Sequence, residues 1–217
     1  MTISLTTYRT PTTNRLDSLF DSLFDPFFES VTIPKKRTTA TVNTKVTTED
    51  NKHIISVAAP GLDKEDFKDL QNIVLSTEFP WFLNHGISYK GDDSGIMFTH
   101  LIYKNDTFNS SFTLGGLDIF KKKLNIVSLV RAKINFLYKT PKIIEHHSHI
   151  DIENPPNDLK TAILYLNTNN GYTKFATGEK VDSVANRLIT FKGNLEHFGT
   201  TNSCEVPYRV VFNLNYF

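Results

Sequence analysis

"IIEHHSHIDIENPPNDLKTAILYLNTNNGYTKF", residues Ile143 to Phe175, sets three histidines and an aspartate just ahead of a run with the composition of a β-strand. Side chains two apart on a strand point the same way, so His149 and Asp151 project from one face with their donor atoms close together. His147 shares that face in an ideal strand, and His146 and Ser148 lie opposite. One imidazole and one carboxylate hold a metal poorly, so a third donor has to come from elsewhere. "NLEHFGTT" supplies it: His197 follows Asp151 after 45 intervening residues, at the end of a strand candidate and before a glycine turn.

Around these two motifs the chain reads as β-rich. "LVRAKINFLYK" alternates, with Ala132, Ile134, Phe136 and Tyr138 on one face and Arg131, Lys133, Asn135 and Leu137 on the other. "KTAILYLNT", "NRLITFKG" and "YRVVFNLNYF" are further strands, separated by turns rich in Asn, Gly and Pro. Beyond residue 70 only "LGGLDIFKKKLN" has a helical pattern, its lysines forming a solvated end. Short strands without a βα rhythm predict a mainly β domain over residues 70–217: a double-stranded β-helix, or cupin-like jelly roll, with a few flanking helices.

Cys204 is the only cysteine, so a thiolate cage and an intrachain disulfide are both excluded, and any metal is held by nitrogen and oxygen. Two neutral imidazoles and one carboxylate on one octahedral face leave three positions open, the arrangement of non-haem Fe(II) oxygenases. A 2-oxo acid fills two of those positions and dioxygen the third, and a fourth protein ligand such as His147 would block them. The keto acid's distal carboxylate then needs a cation, and Arg209 follows His197 after 11 intervening residues on the last strand. Its planar fork pairs with a carboxylate through two parallel hydrogen bonds. The same three donors also suit Zn(II) in a hydrolytic or structural site; Arg209 and the strand pattern favour iron. His146 and His147 are expected in the solvated approach to the strand. His53, His85 and His100 read as ordinary surface or partly buried histidines, Trp81 and the phenylalanines as packing, and Cys204 as a bystander. "EFPWFLNHGISYKGDDSG" is expected to shape the entrance.

With 24 basic and 23 acidic residues in 217, no electrostatic case exists for nucleic acid or an anionic membrane as partner. No apolar run approaches the roughly 20 residues that span a bilayer, and "MTISLTTYRTPTTNRL" lacks a signal peptide's apolar stretch. The expectation is a cytoplasmic protein acting on small molecules or proteins.

Residues 1–69 differ in texture. Leu16, Leu19, Phe20, Leu23, Phe24, Phe27 and Phe28 share one helical face behind Asn14 as N-cap, with Pro26 expected to end or kink the helix. A Thr-rich linker, a strand from Val42 to Thr47, a turn at Glu49 to Lys52 and a strand from His53 to Ala58 follow. "LDSLFDPFF" and "IISVAAPGLDKEDF", the latter with Pro60, Gly61, Lys64, Glu65 and Asp66, resemble the Phe-rich arm, strand and Pro-Gly turn of the small heat-shock (α-crystallin) proteins. The match stops at about Asp69, and that family's later strands and Ile-x-Ile tail are missing. A sandwich lacking most of its strands leaves open edges, so the expectation is a partly ordered extension holding an amphipathic helix and a short hairpin. A chaperone-like binding module, self-associating through this segment, is the rival reading.

Residues 71–217 resemble the 2-oxoglutarate and Fe(II)-dependent dioxygenases, in particular the short prolyl-hydroxylase-like proteins encoded by tailed phages of marine cyanobacteria. The motifs are "HSHIDI", "KTAILYLNTNNGYTKF", "SVANRLITFKGNLEHFGTT" and "RVVFNLNYF". The resemblance implies His149, Asp151 and His197 as iron ligands and Arg209 as anchor of the C5 carboxylate of 2-oxoglutarate, with Tyr165 adding a hydroxyl to that carboxylate. Asn167, Asn186 and Asn213 are either orienting groups around the ligands or structural residues of turns and edges. It further implies Fe(II) and 2-oxoglutarate as cofactor and cosubstrate, ascorbate as an optional reductant, a peptidyl or small-molecule substrate, and a host cell's cytoplasm as location.

Overall fold

The structure, a computed structural model, describes residues 42–47, 54–88, 95–110 and 114–217. The elements, in order, are β1 (Val42–Thr47), β2 (Ile54–Ala59), α1 (Lys64–Val74), β3 (Phe82–His85), β4 (Ile96–Lys104), β5 (Thr107–Phe108), α2 (Leu114–Leu124), β6 (Leu129–Tyr138), β7 (Lys160–Tyr165), β8 (Tyr172–Phe175), β9 (Lys180–Asp182), β10 (Leu188–Lys192), β11 (His197–Gly199) and β12 (Tyr208–Tyr216). A large antiparallel sheet runs β1-β2-β10-β7-β12-β6-β4-β3, with β5 on β4, and a small one runs β11-β8-β9. The two face each other as a jelly roll, the mainly β architecture expected from the strand pattern.

The layers follow from alternation along β12, which is buried on both faces. Val210, Phe212, Leu214 and Tyr216 turn outward, joining Ala132 and Ile134 of β6 and Ala162 and Leu164 of β7. Against this apolar face pack Phe67, Leu70 and Val74 of α1 and Leu117 and Phe120 of α2, with the rings of Phe120 and Phe212 4.7 Å apart. The three-then-four spacing of the α1 residues makes one helical stripe, and Glu65 and Asp66 sit favourably in its first turn. Each fully buried Leu or Phe here contributes about 1.5–3 kcal/mol, so the outer face supplies enough apolar burial to free the inner one. The inner face divides: Ile163, Tyr165, Ile189, Phe191 and Val211 close one end against Phe175 and Val181 of the small sheet. Polar residues of β6 and β12 occupy the rest.

The N-terminal hairpin forms with the strands expected. It is not a free extension: β2 pairs with β1 on one side and with β10 on the other, with Leu188 opposite Ala58 and Thr190 opposite Ser56. The division expected between residues 69 and 70 falls inside α1, a helix the sequence reading did not anticipate. Every described residue belongs to a unit spanning Thr39–Phe217. The amphipathic stretch of residues 14–28 and His53 lie outside the described residues. Among the described residues no helix is long and apolar enough to cross a membrane.

Asn186 holds this N-terminal piece in place. Its Oδ1 accepts from Leu62 N (2.8 Å), its Nδ2 donates to Leu62 O (2.9 Å), and its carbonyl accepts from Gly61 N (2.6 Å). Gly61 has no room for a side chain, since a Cβ there would lie 2.6 Å from Leu188 Cβ. Asn186→Ala removes both side-chain bonds and strips partners from the Leu62 amide and carbonyl, so it is expected to cost about 1–3 kcal/mol in urea unfolding while leaving divalent-metal affinity unchanged.

Candidate metal centre

His149 and His197 oppose each other across an isolated antiparallel bridge, each amide donating to the other's carbonyl at 3.0 Å. That pairing brings two residues distant in sequence to a ring separation of 4.8 Å. Asp151 completes the group: one donor atom from each of the three lies within 4.8 Å of the others. His149 Nε2 is 4.0 Å from Asp151 Oδ1 and His197 Nε2 is 3.9 Å from Oδ2. Each histidine's Nδ1 faces the carbonyl two residues back, His147 O and Leu195 O, both at 3.2 Å. A carbonyl only accepts, so each Nδ1 carries the proton and each Nε2 presents a lone pair toward the aspartate, the tautomer metal ligation requires.

The Asp151 side chain is 3% exposed and both its oxygens are engaged. Oδ1 lies 2.6 Å from Arg131 Nη2, while Oδ2 accepts from Asn213 Nδ2 and Asn215 Nδ2, each at 3.1 Å. Burial alone would raise its pKa. The positive charge of Arg131, with smaller effects from His197, Lys133 and His149, overrides burial and holds the carboxyl well below the usual range. Burial and then the neighbouring His197 lower His149, keeping its imidazole neutral and able to coordinate.

Arg209 opens onto the same cavity. It is 3% exposed, with Nε donating to Ser183 Oγ (2.8 Å) and Nη2 to Thr173 Oγ1 (3.2 Å). Among the described residues no carboxylate pairs with it, although buried guanidinium groups are almost always matched by an anion. Tyr165 is fully buried behind it: its hydroxyl donates to Thr173 Oγ1 at 2.9 Å, and its ring centre is 5.6 Å from the guanidinium carbon. Its role here is to buttress the threonine that holds Arg209.

The remaining histidines distribute as follows. His147 and His85 are exposed. His100 is buried and bonded to Pro80 O and Ser110 Oγ. His146 does not lie in a solvated approach; it is buried and lines the cavity. The reason is a bulge: four residue steps separate the bridges at Glu145 and His149, against three between their partners Thr200 and His197. The extra residue resets the alternation that an ideal strand would keep. Of the three asparagines considered, Asn213 orients Asp151, Asn186 clamps Leu62, and Asn167 bridges Tyr208 O and Val210 N. The sequence reading missed Arg131, Lys133 and Asn215 as parts of the site, though their alternation on β6 and β12 was visible. Ile87 and Ser88, from the segment expected at the entrance, line the cavity, and residues 89–94 lie outside the described ones.

No protein-family model matches the sequence, and no curated protein matches it. Solved structures do match in fold. An oxidoreductase of the 2OG-Fe(II) oxygenase family from Burkholderia pseudomallei aligns with TM-score 0.53 at 12% identity, over 72% of this chain and 80% of that one. The non-haem α-ketoglutarate-dependent epimerase SnoN from nogalamycin biosynthesis aligns with TM-score 0.51 at 12% identity, over 75% and 77%. A Pseudomonas putida prolyl-4-hydroxylase aligns with TM-score 0.48 at 17% identity, over 76% and 93%. At these identities the likeness is one of fold.

Two outcomes follow from the charges around Asp151. Asn213→Ala frees one lobe of the carboxylate and is expected to weaken Co(II) or Zn(II) binding about ten- to hundredfold in a competition titration. Lys133, which lines the cavity, is pushed down to about 8 by burial and then by Arg131, against an ordinary value of 10.5. Between those values the unfolded chain binds more protons than the folded one, so stability from this group rises with pH through that window. Wild type is therefore expected to gain stability relative to Lys133→Met as pH rises from 8 to 10; a pH-independent difference would show the ammonium to be fully hydrated.

Proposed function

We propose that the protein is a non-haem Fe(II)- and 2-oxoglutarate-dependent oxygenase that hydroxylates a peptidyl or small-molecule substrate with release of succinate and CO2. The observation that carries this reading is Arg209. A metal held by His149, Asp151 and His197 for hydrolysis or structure needs no buried guanidinium beside it, whereas a dicarboxylate keto acid does. The donor set fits Fe(II): two imidazoles whose Nε2 atoms face the carboxylate, one ionised carboxylate, and no thiolate.

Fe(II) bound there would couple oxidative decarboxylation of the keto acid to oxidation of a C–H bond, one oxygen atom of O2 entering succinate and the other the substrate. The chain's own contributions are positional and electrostatic. Arg209 takes the C5 carboxylate of 2-oxoglutarate through its guanidinium edge, fixed in aim by Ser183 and Thr173. Arg131, Asn213 and Asn215 hold Asp151 ionised and immobile. Met97, Leu137, Ile163 and Val211 give the cavity an apolar wall that limits water. The rival chaperone reading gains no support from the described residues, because β2 is paired on both sides within the large sheet.

Oxygen consumption and succinate formation from 2-oxoglutarate, measured after anaerobic Fe(II) loading, test the proposal. Asp151→Ala is expected to abolish turnover. Arg209→Lys keeps the charge but loses the planar fork, and is expected to raise KM for 2-oxoglutarate about tenfold or more. Full turnover in Asp151→Ala would move the reaction elsewhere.

A further inference from the structure

Lys133 sits on the inner face of β6, opposite Asn213 of β12, and lines the cavity that holds the three candidate ligands and Arg209. Unlike Arg131, which is spent on Asp151, Lys133 makes no hydrogen bond or ion pair with a described residue. Long cationic side chains usually reach solvent with the charged end or find an acid. Lys133 finds no acid of its own: half-buried, it lines the cavity beside the metal site.

Charge balance says what it is for. Asp151 is the only acid among the described residues lining the cavity, and Arg131 already answers it. A divalent metal, Arg209 and Lys133 then leave four positive charges in a confined chamber. A dianionic keto acid, bound as proposed above, cancels two of them through Arg209 and the metal. Uncompensated charge in such a space is costly, so a further anion is called for at the lysine. We propose that Lys133 binds a carboxylate of the substrate to be oxidised, and that the substrate is therefore a small organic acid rather than a neutral stretch of polypeptide. This rests on the oxygenase reading, because it takes 2-oxoglutarate to fill the other cationic positions. Lys133 is placed as a specificity-determining residue: it fixes the anionic end of the substrate while the apolar wall of Leu137, Ile163 and Val211 receives the carbon skeleton.

Acetate, with acetamide as its neutral isostere, probes this at fixed ionic strength by calorimetric titration of the full chain loaded with redox-inert Zn(II) and saturated with 2-oxoglutarate. Acetate is expected to bind and acetamide not. Lys133→Met is expected to weaken acetate by on the order of tenfold, Lys133→Arg to retain it within about threefold, and neither to move 2-oxoglutarate affinity by more than about threefold. Equal binding of acetate and acetamide, no acetate binding, or acetate binding indifferent to Lys133→Met would overturn the proposal. Loss of 2-oxoglutarate in place of acetate in Lys133→Met would also overturn it, by assigning the lysine to the cosubstrate. If the wild-type zinc protein takes up no 2-oxoglutarate, the oxygenase reading fails instead, and the difference in acetate binding between wild type and Lys133→Met still decides whether Lys133 is an anion receptor.

Discussion

A buried carboxylate that has to remain ionised is the constraint around which the rest of the site is arranged. Asp151 has almost no contact with bulk water, so its charge has to be met by the protein. Arg131 meets it with a full opposite charge, and Asn213 and Asn215 with amide dipoles. These three residues stand on the inner faces of two neighbouring strands, with Asn215 opposite Arg131 and Asn213 opposite Lys133. Two adjacent strands that devote their inner faces to polar groups contribute little apolar burial there. The outer face compensates, and the stripes of α1 and α2 cover it. The helices are thus a requirement of the polar interior rather than an ornament of the sheet.

How much of this could be read from the amino acids depends on whether the signal is local. The spacing of His149 and Asp151 is local, and His197 and Arg209 stand out because their chemistry completes the set. The strands were legible from alternation, and β1 and β6 fall where it placed them. Which face of a strand points inward is a different matter. The alternation of "LVRAKINFLYK" separates Arg131, Lys133 and Asn135 from Ala132, Ile134 and Phe136, and in an ordinary two-layer protein the polar set would face water. Only the pairing of β6 with β12, residues far apart in the chain, shows that the polar set faces the cavity. Helix α1 was hidden for another reason: "LDKEDF" resembles a segment that continues differently in another family, and that likeness masked the Phe67, Leu70, Val74 stripe.

The two cationic groups of the cavity are held with unequal firmness. Arg209 is fixed at several points along its length: Ser183 and Thr173 bond its head, and its stem passes a position where a Cβ on Gly171 would come within 2.8 Å of Cδ. Lys133 has no such bonds. Under the proposed function, the rigid group is the one that would take the cosubstrate and the pliant one the substrate. Ser88, which also lines the cavity, donates its hydroxyl to His147 O at 2.8 Å.

The bulge between Glu145 and His149 makes chain length, and not only side-chain identity, a coordinate of this cavity. Shortening that connection by one residue would restore the regular pleat and exchange the inward and outward sets, carrying His146 away from the cavity without altering any functional side chain. A frame-preserving loss of a single codon there would change which side chains line the cavity without substituting any of them.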